Sequence, residues 1–194
     1  MCNYFINDLE EEMFKKYVID HYLKGVIIMF GILLSGCMGN VDQYKSDGPK
    51  LNLKAYLQGK IKGYGVIENW KGNIVSRFDF YGEASWNGDE GTFDEKMVYY
   101  NGKEDHRVWT IKKLSEDHYI GHTKDLVGDA DIQVSGNAMN WKYNMNVDVD
   151  GTNYNLTFND WMFLMNDGLL VNINYFKKFG FTVGKLTLFM QKQE

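Results

Sequence analysis

From Met139 to Val149 the chain alternates without exception. Met139, Trp141, Tyr143, Met145, Val147 and Val149 take one parity, and Asn140, Lys142, Asn144, Asn146 and Asp148 take the other. A period of two is a strand with one dry and one wet face, whereas a helix would scatter the same residues around its circumference. Asp150-Gly151 follows, a pair that tolerates the positive φ of a two-residue hairpin turn. With that turn Val147 falls opposite Tyr154, Met145 opposite Leu156, Tyr143 opposite Phe158 and Trp141 opposite Asp160. A slip of one residue would set asparagines against the apolar side chains, so the pattern specifies its own register.

The rest of the chain after Gly59 breaks in the same way. Runs of about ten residues end at Lys71-Gly72-Asn73, Asn87-Gly88-Asp89, Asn101-Gly102, Ser115-Glu116-Asp117 and Asn166-Asp167-Gly168. Ile74, Phe78, Phe80, Ala84 and Trp86 share one parity against Arg77, Asp79, Glu83 and Ser85, with Val75 and Tyr81 out of pattern. Leu169, Val171, Ile173 and Tyr175 alternate with Asn172 and Asn174. The fold class is therefore all-β, an antiparallel up-and-down meander of about eight to ten strands. Such a sheet must close or leave two long edges unpaired, and closure into a lipocalin-like barrel is the expected solution. A two-sheet sandwich is the alternative. An integral outer-membrane barrel shares the alternation but turns its apolar face to lipid.

Composition supports one packed domain: 194 residues, 44% of them apolar, 15% aromatic, and a single proline. With 21 basic and 26 acidic residues the formal charge is −5 and no basic stripe stands out, so nucleic acid is not an expected partner. The N-terminus reads differently from the rest. Gly25 to Leu34 is an apolar run of ten, half of what a membrane-spanning helix needs. Lys15, Lys16 and Lys24 precede it and Ser35-Gly36-Cys37 follows, the basic, apolar and small-residue order of an export signal. Leu34-Ser35-Gly36-Cys37 resembles the lipobox of bacterial lipoproteins, which implies cleavage after Gly36 and acylation of Cys37. Asp8, Glu10, Glu11 and Glu12 do not suit an export signal, and a start at Met13 gives a more ordinary one. The expected organisation is a signal peptide over residues 1–36, a polar tether over 37–50 and a single barrel domain over 51–194. Met38 after the cysteine, in place of aspartate, favours the outer membrane by the same resemblance.

Several constellations have simple explanations. Asn146-x-Asp148-x-Asp150-Gly151 copies the first half of a calcium loop, but its twelfth position is Thr157 rather than glutamate. His118 and His122 lie in HYIGHT, a strand-like run that would hold them about 13 Å apart, too far to share one zinc ion. No metal site is expected. Adjacent Asp94 and Glu95 would face opposite sides of a strand. If Asn101-Gly102 is a two-residue turn, Asp94 falls opposite Trp109 and Lys96 opposite Arg107, placing these four on one face; turned inward, Arg107 could hold a ligand carboxylate. No nucleophile elbow, phosphate loop or dinucleotide fingerprint is present, and no cofactor is expected. Five tryptophans are enough to fill a core or to line an aromatic cavity.

Trp86-Asn-Gly-Asp-Glu-Gly-Thr-Phe-Asp-Glu95, Arg107-Val-Trp109, Asp125-Leu-Val-Gly128, Gly136-Asn-Ala138 with Trp141 and Tyr143, Asp160-Trp-Met162, and Lys178-Phe-Gly180 through Val183-Gly184 occur in order. Together they resemble an uncharacterised proteobacterial lipoprotein family, domain of unknown function 3833. The resemblance runs from about Leu51 to Phe189. It implies an exported, lipid-anchored domain in the bacterial envelope, facing the periplasm, without an established activity, and it makes a lipid-related role a reasonable guess. That family lacks the acidic leader before Met13.

The function expected from these readings is an envelope lipoprotein, monomeric and membrane-bound through the lipid on Cys37, whose barrel binds or carries a fatty-acyl or other apolar ligand. Trp141, Tyr143, Met145, Leu156 and Phe158 are the expected pocket residues, with Arg107 as head-group anchor. A solid barrel with a structural or interaction role is the first alternative. A lipid-modifying enzyme using Asp94, Glu95 or Asp160 as acid or base is the second.

Overall fold

The computed structural model describes residues 39–149 and 151–193. Cys37, Gly36, the start at Met13 and the whole expected signal peptide lie outside the described residues.

Ten antiparallel strands form the meander: β1 (Gly59–Asn69), β2 (Ile74–Asn87), β3 (Glu90–Tyr99), β4 (Glu104–Lys113), β5 (His118–His122), β6 (Ala130–Ser135), β7 (Ala138–Val149), β8 (Thr152–Leu164), β9 (Leu170–Lys178) and β10 (Phe181–Lys192). Each pairs with its neighbours in sequence, and β1 pairs with β10 along Ile61–Asn69, so the sheet closes into a barrel. The β7–β8 hairpin has the expected register: Trp141 opposite Asp160, Tyr143 opposite Phe158, Met145 opposite Leu156 and Val147 opposite Tyr154. Its side chains at 141, 143, 145 and 156 are buried.

Short β5 and β6 would strand the far half of β7. The loop after β5 covers it instead: Val127 N–H donates to the Asn144 carbonyl and Asn146 N–H to the Asp125 carbonyl. A short helix α1 (Leu53–Leu57), capped by Asn52 Oδ1 accepting from Ala55 N–H at 2.9 Å, lies across one end of the barrel. Leu53, Tyr56 and Leu57 are buried there, and Tyr56 Oη donates to the Met190 carbonyl at 3.0 Å.

Four sequence expectations need correction. The hairpin between β3 and β4 has a three-residue connection, Tyr100-Asn101-Gly102, closed by Tyr99 N–H on the Lys103 carbonyl, with Gly102 at φ +85°. That single extra residue pairs Glu95 with Arg107 and Phe93 with Trp109, and leaves Asp94 opposite Val108. In β9, Leu170, Asn172 and Asn174 point inward while Val171, Ile173 and Tyr175 are only half-buried, the reverse of what the apolar set suggested. The segment read as a tether packs on the barrel wall: Val41–Tyr44 is a 3-10 turn, Val41 is buried, and Tyr44 meets Trp161 and Phe163 edge-on at 5.9 and 5.2 Å. Trp161 is therefore covered from outside the barrel, and Trp70 is 41% exposed, so neither fills the core.

Glycines on the inner face make room for rings. A Cβ on Gly65 would come within 2.2 Å of Phe78 Cζ, its cross-strand neighbour, and Phe78 is only 1% exposed. Gly65→Ala must displace that ring inside a filled core and is expected to cost about 1–3 kcal/mol. Thermal denaturation measures it, and an unchanged midpoint would show that the ring has somewhere to go.

Candidate functional site

The middle of the barrel is not purely apolar. β3, β4, β7, β8 and β9 each send at least one polar side chain inward at the same level: Glu95, Arg107, Tyr143, Asp160, Asn172 and Asn174. They surround a cavity of about 70 Å³ whose other walls include Phe80, Met139, Leu186, Leu188 and Met190. That is room for a few waters and well short of the roughly 300–1,000 Å³ of a typical ligand pocket.

Two linked groups make up the cluster. In the first, Glu95 Oε1 accepts from Arg107 Nη1 at 3.2 Å and from Trp109 Nε1 at 3.1 Å. Burial by itself would lower the Arg107 pKa, but the charge of Glu95, its hydrogen bond and the nearby Tyr143 and Asp125 together outweigh it, raise the pKa and keep the guanidinium protonated. In the second, Asp160 Oδ2 accepts from Tyr143 Oη at 3.0 Å and Oδ1 from Asn172 Nδ2 at 2.8 Å, while Asn174 Nδ2 donates to Tyr143 Oη at 3.3 Å. Burial raises the Asp160 carboxyl to about 7, with the bonds from Asn172 and Tyr143 pulling back. Burial, reinforced by the Asp160 charge, pushes the Tyr143 phenol well above its ordinary value. Both oxygens of Asp160 are already engaged within the protein.

Among the described residues that line the cavity, three carry a buried polar atom without a partner: Arg107 Nε, Trp141 Nε1 and Asn174 Oδ1. Trp141 and Asn174 are 4% and 6% exposed. Toward the end away from α1 the core turns aromatic. Phe158 stacks on Tyr143 at 5.0 Å and meets Phe176 at 5.1 Å, and Phe158, Phe176, Met97 and Tyr99 are only partly buried.

The expected pocket residues are thus distributed. Trp141, Tyr143 and Arg107 line the cavity; Met145 and Phe158 belong to the same core toward the end away from α1, and Leu156 is buried but outside that cluster. The inward group expected with Arg107 is corrected: Trp109 faces in, but Asp94 is outside against His106 at 2.8 Å and Lys96 is outside against Glu104 at 2.8 Å. Glu95 takes their place. The sequence names Glu95 only as an acid or base of the enzyme alternative and not beside Arg107, and it leaves out Asn172 and Asn174, although both share their parity with Leu170. His118 and His122 lie in a strand as expected, each against a different aspartate, Asp131 and Asp129.

Among solved structures the chain is similar to the S-type phycobiliprotein lyase CPES from Guillardia theta, with a TM-score of 0.52 and 5% identity over 80% of this chain and 99% of that one. A looser likeness, to lobster apocrustacyanin A1, has a TM-score of 0.32 and 11% identity over 73% of this chain and 64% of that one. The first of these likenesses concerns the fold alone, a closed antiparallel barrel. No curated protein matches the sequence. A family model does match, over residues 31–192, and by it the chain belongs to DUF3833, a family described as protein of unknown function.

Proposed function

We propose that this protein is an envelope lipoprotein, held by an acyl group on Cys37, whose barrel binds an apolar ligand through the end not covered by α1. One observation supports the binding part: three residues that line the interior cavity, Arg107, Trp141 and Asn174, each carry a buried polar atom without a partner. Unsatisfied buried polar groups are costly, and a ligand or water that pairs them recovers that cost. The polar end of the ligand sits at this level. Its apolar part extends past Tyr143, Phe158 and Phe176, whose rings must part to admit it, because about 70 Å³ cannot hold a chain.

The small cavity also favours a second reading, a solid barrel with a structural role. Solvent extraction of protein purified from envelopes, followed by mass spectrometry, separates the two. One apolar molecule per chain supports binding; a clean extract supports the solid barrel. The anchor rests on the sequence Leu34-Ser35-Gly36-Cys37. Cys37→Ser is expected to move the protein from the membrane to the soluble fraction and to remove the acyl mass. An unchanged distribution and mass would refute the anchor.

A further inference from the structure

The expected role of Arg107, as the anchor of an acid head group, does not survive its surroundings. Its charge is already answered by Glu95 at 3.2 Å, and Asp160 stands across the same cavity. A carboxylate brought to this point would add negative charge beside two carboxyl groups with one cation to share. What the cavity offers is a set of hydrogen bonds. Arg107 Nε–H and Trp141 Nε1–H are donors without acceptors, and Asn174 Oδ1 is an acceptor without a donor. The Asn174 orientation follows from the chain of bonds. Tyr143 Oη gives its hydrogen to Asp160, so it accepts from Asn174 Nδ2, and the amide oxygen is the end left over.

Two donors and one acceptor select the partner. An ammonium group has no lone pair for Trp141 or Arg107. A carboxylate has no hydrogen for Asn174. A hydroxyl or a carboxamide has both. Resting on the binding reading above, we infer that the polar end of the ligand is uncharged and both donates and accepts hydrogen bonds, as in a long-chain alcohol, a monoacylglycerol or a fatty amide, and is not a fatty-acid carboxylate.

The test compares four probes of equal chain length on the full chain carrying Cys37→Ser: dodecan-1-ol, dodecanamide, dodecanoate and dodecylammonium at pH 8. Binding is followed by intrinsic tryptophan fluorescence, for which Trp109 and Trp141 lie at the site. The alcohol and the amide are expected to bind at least ~10-fold more tightly than either ion, the order of one to two buried hydrogen bonds. Trp141→Phe keeps the ring packing and removes one donor, leaving Trp109 as reporter. It should weaken the neutral probes about 3- to 10-fold and narrow their advantage over dodecanoate. Dodecanoate binding as tightly as the alcohol would overturn the head-group assignment and leave ligand binding standing. Binding by none of the four would overturn both.

Discussion

Glu95→Ala is expected to cost about 3 kcal/mol of folding stability, a fall of about 6–12 °C in melting temperature for a domain of this size. The reason is what remains. Arg107 keeps its charge with only a quarter of its side chain exposed, and Trp109 Nε1 loses its acceptor in the same stroke. Asp94→Ala, one residue away, is the control. Its carboxylate is 53% exposed and pairs with His106 in solvent, so its loss should stay within about 0.5 kcal/mol. Removing both partners, Glu95→Ala with Arg107→Leu, should recover much of the loss, because no buried charge is then left alone. Urea denaturation of the four proteins measures all of this, and equal effects at 94 and 95 would place the β3–β4 register in error.

Asp160 carries the second large effect, through pH. Its carboxyl is raised from 3.8 to about 7 by burial, so between these values the folded chain holds a proton that the unfolded chain has released. The stability it contributes is fully present below about pH 4 and is lost as pH rises through about 7, on the order of 4 kcal/mol in all. Asp160→Asn should remove that slope and make the protein more stable than the parent at pH 8. The substitution has somewhere to place its hydrogens: the new amide donates to Tyr143 Oη, and Asn174 turns to accept the phenol hydrogen. Denaturation midpoints of both proteins from pH 4 to 8 give the difference curve. Parallel curves would mean that Asp160 is ionised throughout.

The β7–β8 hairpin could be read from the sequence because every local cue agreed: unbroken alternation, an Asp-Gly turn and apolar cross-strand pairs. The candidate site could be read only in part, because it is where those cues conflict. Asn172 and Asn174 are polar yet face inward, and Val171 and Ile173 are apolar yet face outward beside Phe163 and Trp161. The wall there is covered by the Val41–Tyr44 segment, which hides apolar surface that a bare strand would expose to water. The place of Glu95 opposite Arg107 was hidden by a single loop residue. Asn-Gly suits a two-residue turn and also the last positions of a three-residue loop, and only the packing of Phe93 against the core decides between them. Aromatic content was plain, but not its placement, since Trp70 and Trp161 obey no inward parity.

The claim that joins these results is that the interior polar cluster completes itself with a ligand entering past Phe158 and Phe176. Crystallography of the protein purified without added lipid tests it most directly. The account predicts one continuous, elongated density that begins between Arg107 Nε, Trp141 Nε1 and Asn174 Oδ1 and runs toward the mouth, with the two phenylalanine rings drawn apart. Separate water peaks at those three atoms, with Phe158 still stacked on Tyr143, would contradict it.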